Sequence, residues 1–371
     1  MLNALGIINI EDSTVDITGL QSYRPVSAIS ILGRYRVIDF MLSNFSNSGI
    51  KDIQVYCREK PRSLIEHLGS GLQYNISSKK GSLRMMFGET SGISDVYNHD
   101  IANFMSNMQY IEENDKSYVV IAPSYMMYRA NFSDILDSHI ESGNDVTVLY
   151  KVADNAKEDF IGCDCLTLEK DKRVSSIDKN RGKYKKRNIS LEAYVLSRTL
   201  FIELVKLASE TSSLYWFKDI LADVLDKYKV VGYPIRTHVS CINTLSAYFK
   251  TNMKYCSLEG VSELRVDSWP IHTMTSDSAP VTYGTNSSVK NSLIANGCNI
   301  DGTLENCVVG RNVTVKKGAV LKNCVILPNA YIAEDVKLDH VVVDKSAIIN
   351  HVKKLEGSVQ APIYVKRRDR I

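Results

Sequence analysis

The chain has 371 residues, 44% of them hydrophobic and 23% charged, with a formal net charge of +3. That length suits two domains better than one core. The composition is that of a globular protein, and the charge is too small to imply a nucleic-acid partner. No apolar run is long enough to span a bilayer. The apolar start lacks the basic flank of a signal peptide and runs into Glu11 and Asp12, so a buried first strand is expected there. The eight cysteines are scattered. Their closest pair, Cys163-x-Cys165, falls short of a C-x-x-C zinc spacing, so free thiols of a reducing cytoplasm are expected. The seven histidines show no metal-ligand spacing, and no metal site is expected in the chain.

Taken in order, residues 4–10 read as a strand, 39–48 as a helix and 52–56 as the next strand. Ile101, Phe104, Met108 and Ile111 recur at helical spacing across 100–113. The run 118–122 is continuously apolar, as in a strand covered on both faces. A helix over 132–142 and a strand over 146–152 follow. Such alternation predicts an α/β domain with a mostly parallel sheet between helices.

Near Ser262 the rhythm changes, and from about Thr285 the helical period is gone. Apolar residues now recur at six-residue steps: Ile294 to Ile300, Val309 to Val315, Val320 to Ile326 to Ile332, and Val342 to Ile348. Gly297, Gly302, Gly310 and Gly318 fall between them at expected turns. This is the mark of a parallel β-helix of hexapeptide repeats, with Cys298, Cys307 and Cys324 as small core residues. The expected division is an α/β domain over 1–255, a linker over 256–284 and a β-helix over 285–371. The open ends of a β-helix make an oligomer the expectation.

Gly33-Arg34-Tyr35-Arg36-Val37-Ile38-Asp39-Phe40, followed by Leu42-Ser43-Asn44 and Asn47-Ser48-Gly49-Ile50, resembles the GG-[KR]-YR-[LI]-IDF-x-LSN-x-x-NSGI signature of bacterial glucose-1-phosphate adenylyltransferases. The resemblance extends over nearly the whole chain. It implies a Rossmann-like nucleotidyltransferase domain followed by a left-handed β-helix.

The departures from the family pattern bear on function. Where the family has a Gly-rich phosphate loop, this chain has Asn9-Ile10-Glu11-Asp12-Ser13-Thr14-Val15-Asp16, with no glycine, no arginine and three acids that would repel phosphate. Val26 stands at a lysine position of the family's R-A-K-P-A element, while Arg24 is kept. Tyr125 and Cys241 stand where the resemblance implies the two magnesium-binding aspartates. A neutral phenol and a soft thiol are poor ligands for Mg²⁺. Loss of the metal should slow phosphoryl transfer roughly a thousandfold or more.

Other positions persist. Lys179 matches the sugar-phosphate lysine of the family, and Lys218 and Asp219 match the end of a second motif in which Tyr215 replaces the first acid. These are candidate sugar-phosphate residues, or ordinary charges at element ends. Arg24, Arg34 and Arg36 are candidate effector contacts, and Asp39 is a candidate helix N-cap. The basic run Arg181, Lys183, Lys185, Lys186 and Arg187, and the tail Lys366-Arg367-Arg368-Asp369-Arg370, read as solvated charge or as anion sites.

The chain thus resembles the non-catalytic, regulatory D type of subunit known in this family. The resemblance implies a cytoplasmic protein without cofactor, with Mg²⁺ confined to a catalytic partner subunit. It implies a hetero-oligomer, a tetramer in stoichiometry, that responds to a phosphorylated sugar or phosphate and has no nucleic-acid or membrane partner. Two alternatives stay open: an autonomous adenylyltransferase, and a sensor without a partner.

Overall fold

The computed structural model describes residues 2–10, 15–17, 19–76, 79, 81–88 and 99–371. Glu11, Asp12, Ser13 and Thr14 of the altered loop lie outside the described residues. The chain divides into two compact units that do not follow chain order. One holds residues 1–14 and 40–241; the other holds 15–39 and 242–371.

The first unit is built on a nine-stranded sheet. Strands Ser82–Phe87, Asp52–Cys57, Ala4–Asn9 and Tyr118–Pro123 lie side by side and run parallel. The long strand Arg187–Ser197 then runs antiparallel to Tyr118–Pro123 and to Val146–Ala153. Val230–Pro234 closes that branch, parallel to Val146–Ala153. Leu5, Ile7, Val119, Ile121, Val148 and Leu196 form the sheet's share of the core, against Phe104, Phe201 and Phe217 from helices.

Local chemistry explains the helix ends. Ser197 caps the helix Arg198–Thr211 by accepting from Leu200 N–H. Asn131 caps Phe132–Glu141 by accepting from Ser133 N–H. The helix expected over 100–113 is broken into Asp100–Ser106 and Met108–Glu112. At the break, the Asn107 side chain donates to the carbonyls of Phe87 and Asn103, both at 2.8 Å. This side-chain bonding competes with the helical ladder, which apolar spacing alone does not register.

The second unit carries three five-stranded parallel sheets wound as the left-handed hexapeptide coil. Leu304, Leu321 and Leu338 stack along one face; Val309, Ile326 and Val343 along another; Val315, Ile332 and Ile349 along the third. All are buried. Of the four expected turn glycines, Gly297 and Gly318 do turn, with φ of +80° and +74°. Gly302 and Gly310 also fall between strands, but without positive φ. A Cβ on Gly302 would lie 2.6 Å from the Ala319 carbonyl oxygen, and one on Gly310 would lie 2.7 Å from Pro328 N, so close passage of the next coil requires them. Most other corners use asparagine at positive φ, including Asn306, Asn312, Asn323 and Asn329.

The same unit holds the hairpin Ser30–Ile31 with Tyr35–Arg36 and the helices Leu245–Lys254 and Leu258–Leu264. Asp39 is not an N-cap: it lies in the first turn of the helix Val37–Asn47 and accepts from Arg36 N–H at 2.8 Å and from the Thr273 hydroxyl at 2.6 Å. Among the described residues, no helix is long and apolar enough to cross a membrane.

Candidate functional site

In the first unit, the strand Tyr118–Pro123 leads through Ser124 and Tyr125 into the short strand Met126–Met127, which pairs with Ser240–Cys241. Met126 lies opposite Cys241 in this ladder. The pairing brings together the two positions singled out in sequence as replaced metal aspartates. Tyr125 is 2% exposed and its hydroxyl is hydrogen-bonded to the Glu192 carboxylate. Burial, then the Glu192 charge, drive the phenol well above its ordinary pKa. The Cys241 thiol touches that of Cys163 at 3.5 Å. This contact, together with burial, pushes the Cys241 pKa well up as well. Both groups therefore stay protonated at neutral pH. Mg²⁺ needs ionised oxygen donors, so this phenol and thiol do not fit it. Among the described residues, no three His, Cys, Asp or Glu side chains converge in a way that could hold one.

Around Tyr125 stand the charges of the site. Asp164, at the start of the strand Asp164–Leu168, lies 2.9 Å from Lys179 Nζ and 3.7 Å from Lys218 Nζ. Lys218 is also 3.9 Å from Glu192 and sits over the Trp216 ring. These pairs are long, and burial outweighs them: the Lys218 pKa is lowered to about 8. Burial likewise raises the Glu192 carboxyl to about 7, with the neighbouring Asp164 charge adding to it. At Lys179, burial is outweighed by the charge and hydrogen bond of Asp164, and its pKa rises. Lys179 and Lys218 are thus brought to one carboxylate. Asp219 instead accepts from Trp216 N–H at 2.9 Å, closing the first turn of the helix Phe217–Asp223. Nearby, Asp100 is raised to about 7 by burial, and it accepts from Asn9 Nδ2 at 2.8 Å and Phe217 N–H at 3.1 Å. Asn9, which opens the altered loop, is spent on that structural contact.

The second unit gathers the arginine candidates unevenly. Arg24 is 3% exposed, and its Nη2 donates to Asp344 at 2.5 Å. Its Nε is buried with no hydrogen-bond partner among the described residues. Arg36 donates to the Ala28 carbonyl. Arg24, Arg36 and Arg367 all act on Lys345, whose pKa falls to about 7, first through burial and then through these like charges. The Asp344 carboxylate opposes these charges, and it also accepts from the Tyr364 hydroxyl at 2.7 Å. Arg34 stays outside this cluster, exposed over the Tyr35 ring. Val26 is fully buried.

The basic run reads as surface charge. Arg187 pairs with Asp178, Lys186 lies 3.9 Å from Asp154 and Lys183 rests over Tyr184. In the tail, Arg367 alone turns into the cluster, its guanidinium over Tyr23. Sequence reading missed Glu192, Asp164, Asp344 and Lys345. The last two did leave a signal, a charged pair interrupting the apolar coil pattern between Val343 and Ala347.

An α/β sheet with charged residues gathered at the ends of its strands, followed by a hexapeptide coil, defines the nucleotidyltransferase class. The nucleotidyl transferase family profile matches residues 18–257, and a GlmU-like C-terminal hexapeptide profile matches residues 278–356. The chain belongs to the nucleotidyl transferase family. It is 28% identical to the glycogen biosynthesis protein GlgD of Bacillus subtilis (strain 168) over 98% of this chain and 95% of that protein. It is 29% identical to GlgD of Geobacillus stearothermophilus over 85% of this chain and 82% of that protein. It is 27% identical to a glucose-1-phosphate adenylyltransferase of Thermosipho africanus (strain TCF52B) over 79% of this chain and 72% of that protein. The resemblance read from residues 33–50 is borne out.

Proposed function

We propose that this chain is a non-catalytic subunit of a glucose-1-phosphate adenylyltransferase assembly in glycogen biosynthesis. It joins a catalytic homologue in a hetero-oligomer, taken as a tetramer in the bacterial cytoplasm, and alters the partner's activity or effector response. Mg²⁺ acts only in that partner. The observation that carries this reading is the donor set at the paired strands Met126–Met127 and Ser240–Cys241. There Tyr125 is committed to Glu192 and Cys241 to Cys163, so neither position offers an ionised oxygen. A subunit of this kind acts by binding the active conformation of its partner better than the inactive one. Arg24, Arg36, Arg367 and Lys345 supply a place for an anionic effector, a phosphorylated sugar or phosphate, with Arg24 Nε, which has no hydrogen-bond partner among the described residues, as one donor.

The test is ADP-glucose synthesis by this chain alone, by an intact catalytic homologue alone, and by the two co-purified. The reading expects silence from the first sample. It expects the third to exceed the second or to respond differently to phosphorylated sugars. Mg²⁺-dependent turnover by the chain alone would establish an autonomous enzyme instead. Failure to co-purify, with anion binding intact, would favour a sensor.

A further inference from the structure

Glu192 stands at φ +49°, in the left-handed region that a glutamate occupies only at an energetic cost. The strained residue lies where the sheet is interrupted, since the register of Arg187–Ser197 against Val146–Ala153 shifts between Ser190 and Tyr194. Ser190 Oγ supports the turn by accepting from Glu192 N–H at 3.2 Å. The turn carries the carboxylate inward. The side chain keeps 14% exposure, bonds the Tyr125 hydroxyl and approaches Lys218 Nζ to 3.9 Å. Asp164 then bridges Lys218 to Lys179. Glu192 and Asp164 thereby act on the two lysines, alongside the Asp219 charge.

We propose that the Glu192 carboxylate is a resident substitute for an anionic ligand, keeping phosphomonoesters from Lys179 and Lys218, and that these lysines take a phosphoryl group once this carboxylate is removed. The proposal rests on reading those lysines as the remnant of a sugar-phosphate site, but not on the existence of a catalytic partner. Strain of this kind persists only where the surroundings over-determine it. Here the compensating contacts are the phenol of Tyr125 and the ammonium of Lys218, groups that a phosphoryl oxygen would otherwise engage. Asp164 touches both lysines independently of Glu192, so their arrangement should outlast its removal.

The test titrates inorganic phosphate and glucose 1-phosphate into the full chain at pH 8 by calorimetry, using wild type, Glu192→Gly and Glu192→Gln, with thermal melting as the folding control. Glu192→Gly is expected to bind phosphate at least tenfold more tightly than wild type and to melt no lower, since glycine adopts this backbone freely. Glu192→Gln keeps the bulk without the charge and is expected to show a smaller gain. Lys218→Ala in the Glu192→Gly background is expected to abolish the gain. Tighter binding of glucose 1-phosphate than of phosphate would support the proposal with a sugar subsite, and equal binding would support it for a bare phosphoryl group. The proposal is overturned if a folded Glu192→Gly protein binds phosphate no better than wild type, or if the gain survives loss of Lys218. Should Glu192→Gly fail to fold, absence of any gain in Glu192→Gln overturns it. No partner enters these titrations, so their failure and that of the co-purification test are distinguishable.

Discussion

Arg24 Nη2 lies 2.5 Å from Asp344 Oδ1 across 320 positions of sequence, and neither side chain is more than 3% exposed. Breaking a buried pair from one side leaves the other charge uncompensated, which costs about 3–5 kcal/mol. Arg24→Ala and Asp344→Ala should each destabilise the coil-bearing unit by about that much. Asp344→Ala should be the worse, because it leaves Arg24, Arg36, Arg367 and Lys345 facing one another and strips the Tyr364 hydroxyl of its acceptor. The double variant should lose less than the two single losses combined, with a coupling of about 1–3 kcal/mol in urea unfolding. Simple additivity would mean that the carboxylate is not held there for Arg24.

The same cluster predicts a pH-dependent anion affinity. Lys345 titrates near 7 in the folded chain instead of near 10.5, so below about pH 7 it is charged and above it neutral. Sulfate keeps its own charge over this range and isolates the protein's contribution. Its affinity should fall as pH rises from 6 to 8.5, and Lys345→Gln should flatten that dependence. In the absence of anion the lowered pKa acts on stability with a definite sign. The folded chain releases this proton earlier than the unfolded one, so the penalty is full below about pH 7 and is relieved as pH rises toward 10.5. Melting temperatures of wild type and Lys345→Gln, taken with and without sulfate at pH 6 and 8.5, check both statements.

Much of this was legible in the sequence, and what was not has specific physical causes. The six-residue spacing from Ile294 onward marked the coil because each step sets an apolar residue on the next face, as from Val309 to Val315, where it meets a counterpart one coil away, as Val309 meets Ile326. Tyr125 and Cys241 could be singled out as departures from the pattern that the sequence resembles. Their convergence needed the ladder between Met126–Met127 and Ser240–Cys241, a long-range pairing without a local signal. Glu192 was invisible for a related reason. Nothing in Ser190-Leu191-Glu192-Ala193 announces a positive φ, and a glutamate in a strand pattern ordinarily reads as solvent-facing. The antiparallel course of Arg187–Ser197 was equally hidden, because its apolar pattern matches a buried strand of either direction. Lys345 and Arg367 join Arg24 only through folding of the second unit.

Glu192 makes a stability prediction separate from its proposed effect on ligands. Its carboxyl titrates near 7 when folded and near 4.5 ordinarily. An acid with a raised folded pKa holds its proton more tightly in the native state, so the native state loses stability as pH rises from about 4.5 to about 7. Above that window the penalty amounts to at most about 3 kcal/mol. Glu192→Gln removes the ionisation and should stabilise the first unit at pH 8 while leaving it nearly unchanged at pH 4.5. Chemical denaturation of both proteins at the two pH values reads this directly. A gain of equal size at both would trace the effect to packing or backbone strain instead of charge.

In the coil, Asn323 carries a corner at φ +47° and a ladder of side chains at once. It accepts from Asn306 Nδ2 at 3.2 Å, one coil or 17 residues away, and donates to Asp339 at 3.0 Å. The two roles separate by substitution. Asn323→Gly keeps the backbone conformation and loses the ladder, for about 1–2 kcal/mol. Asn323→Val loses the ladder and also places a β-branched residue in the left-handed region, which adds about 1–2 kcal/mol. Thermal unfolding should therefore rank wild type above Asn323→Gly, and Asn323→Gly above Asn323→Val. If valine melted with glycine, the corner would be free to relax, and the asparagines at Asn306 and Asn323 would owe their place to the ladder alone.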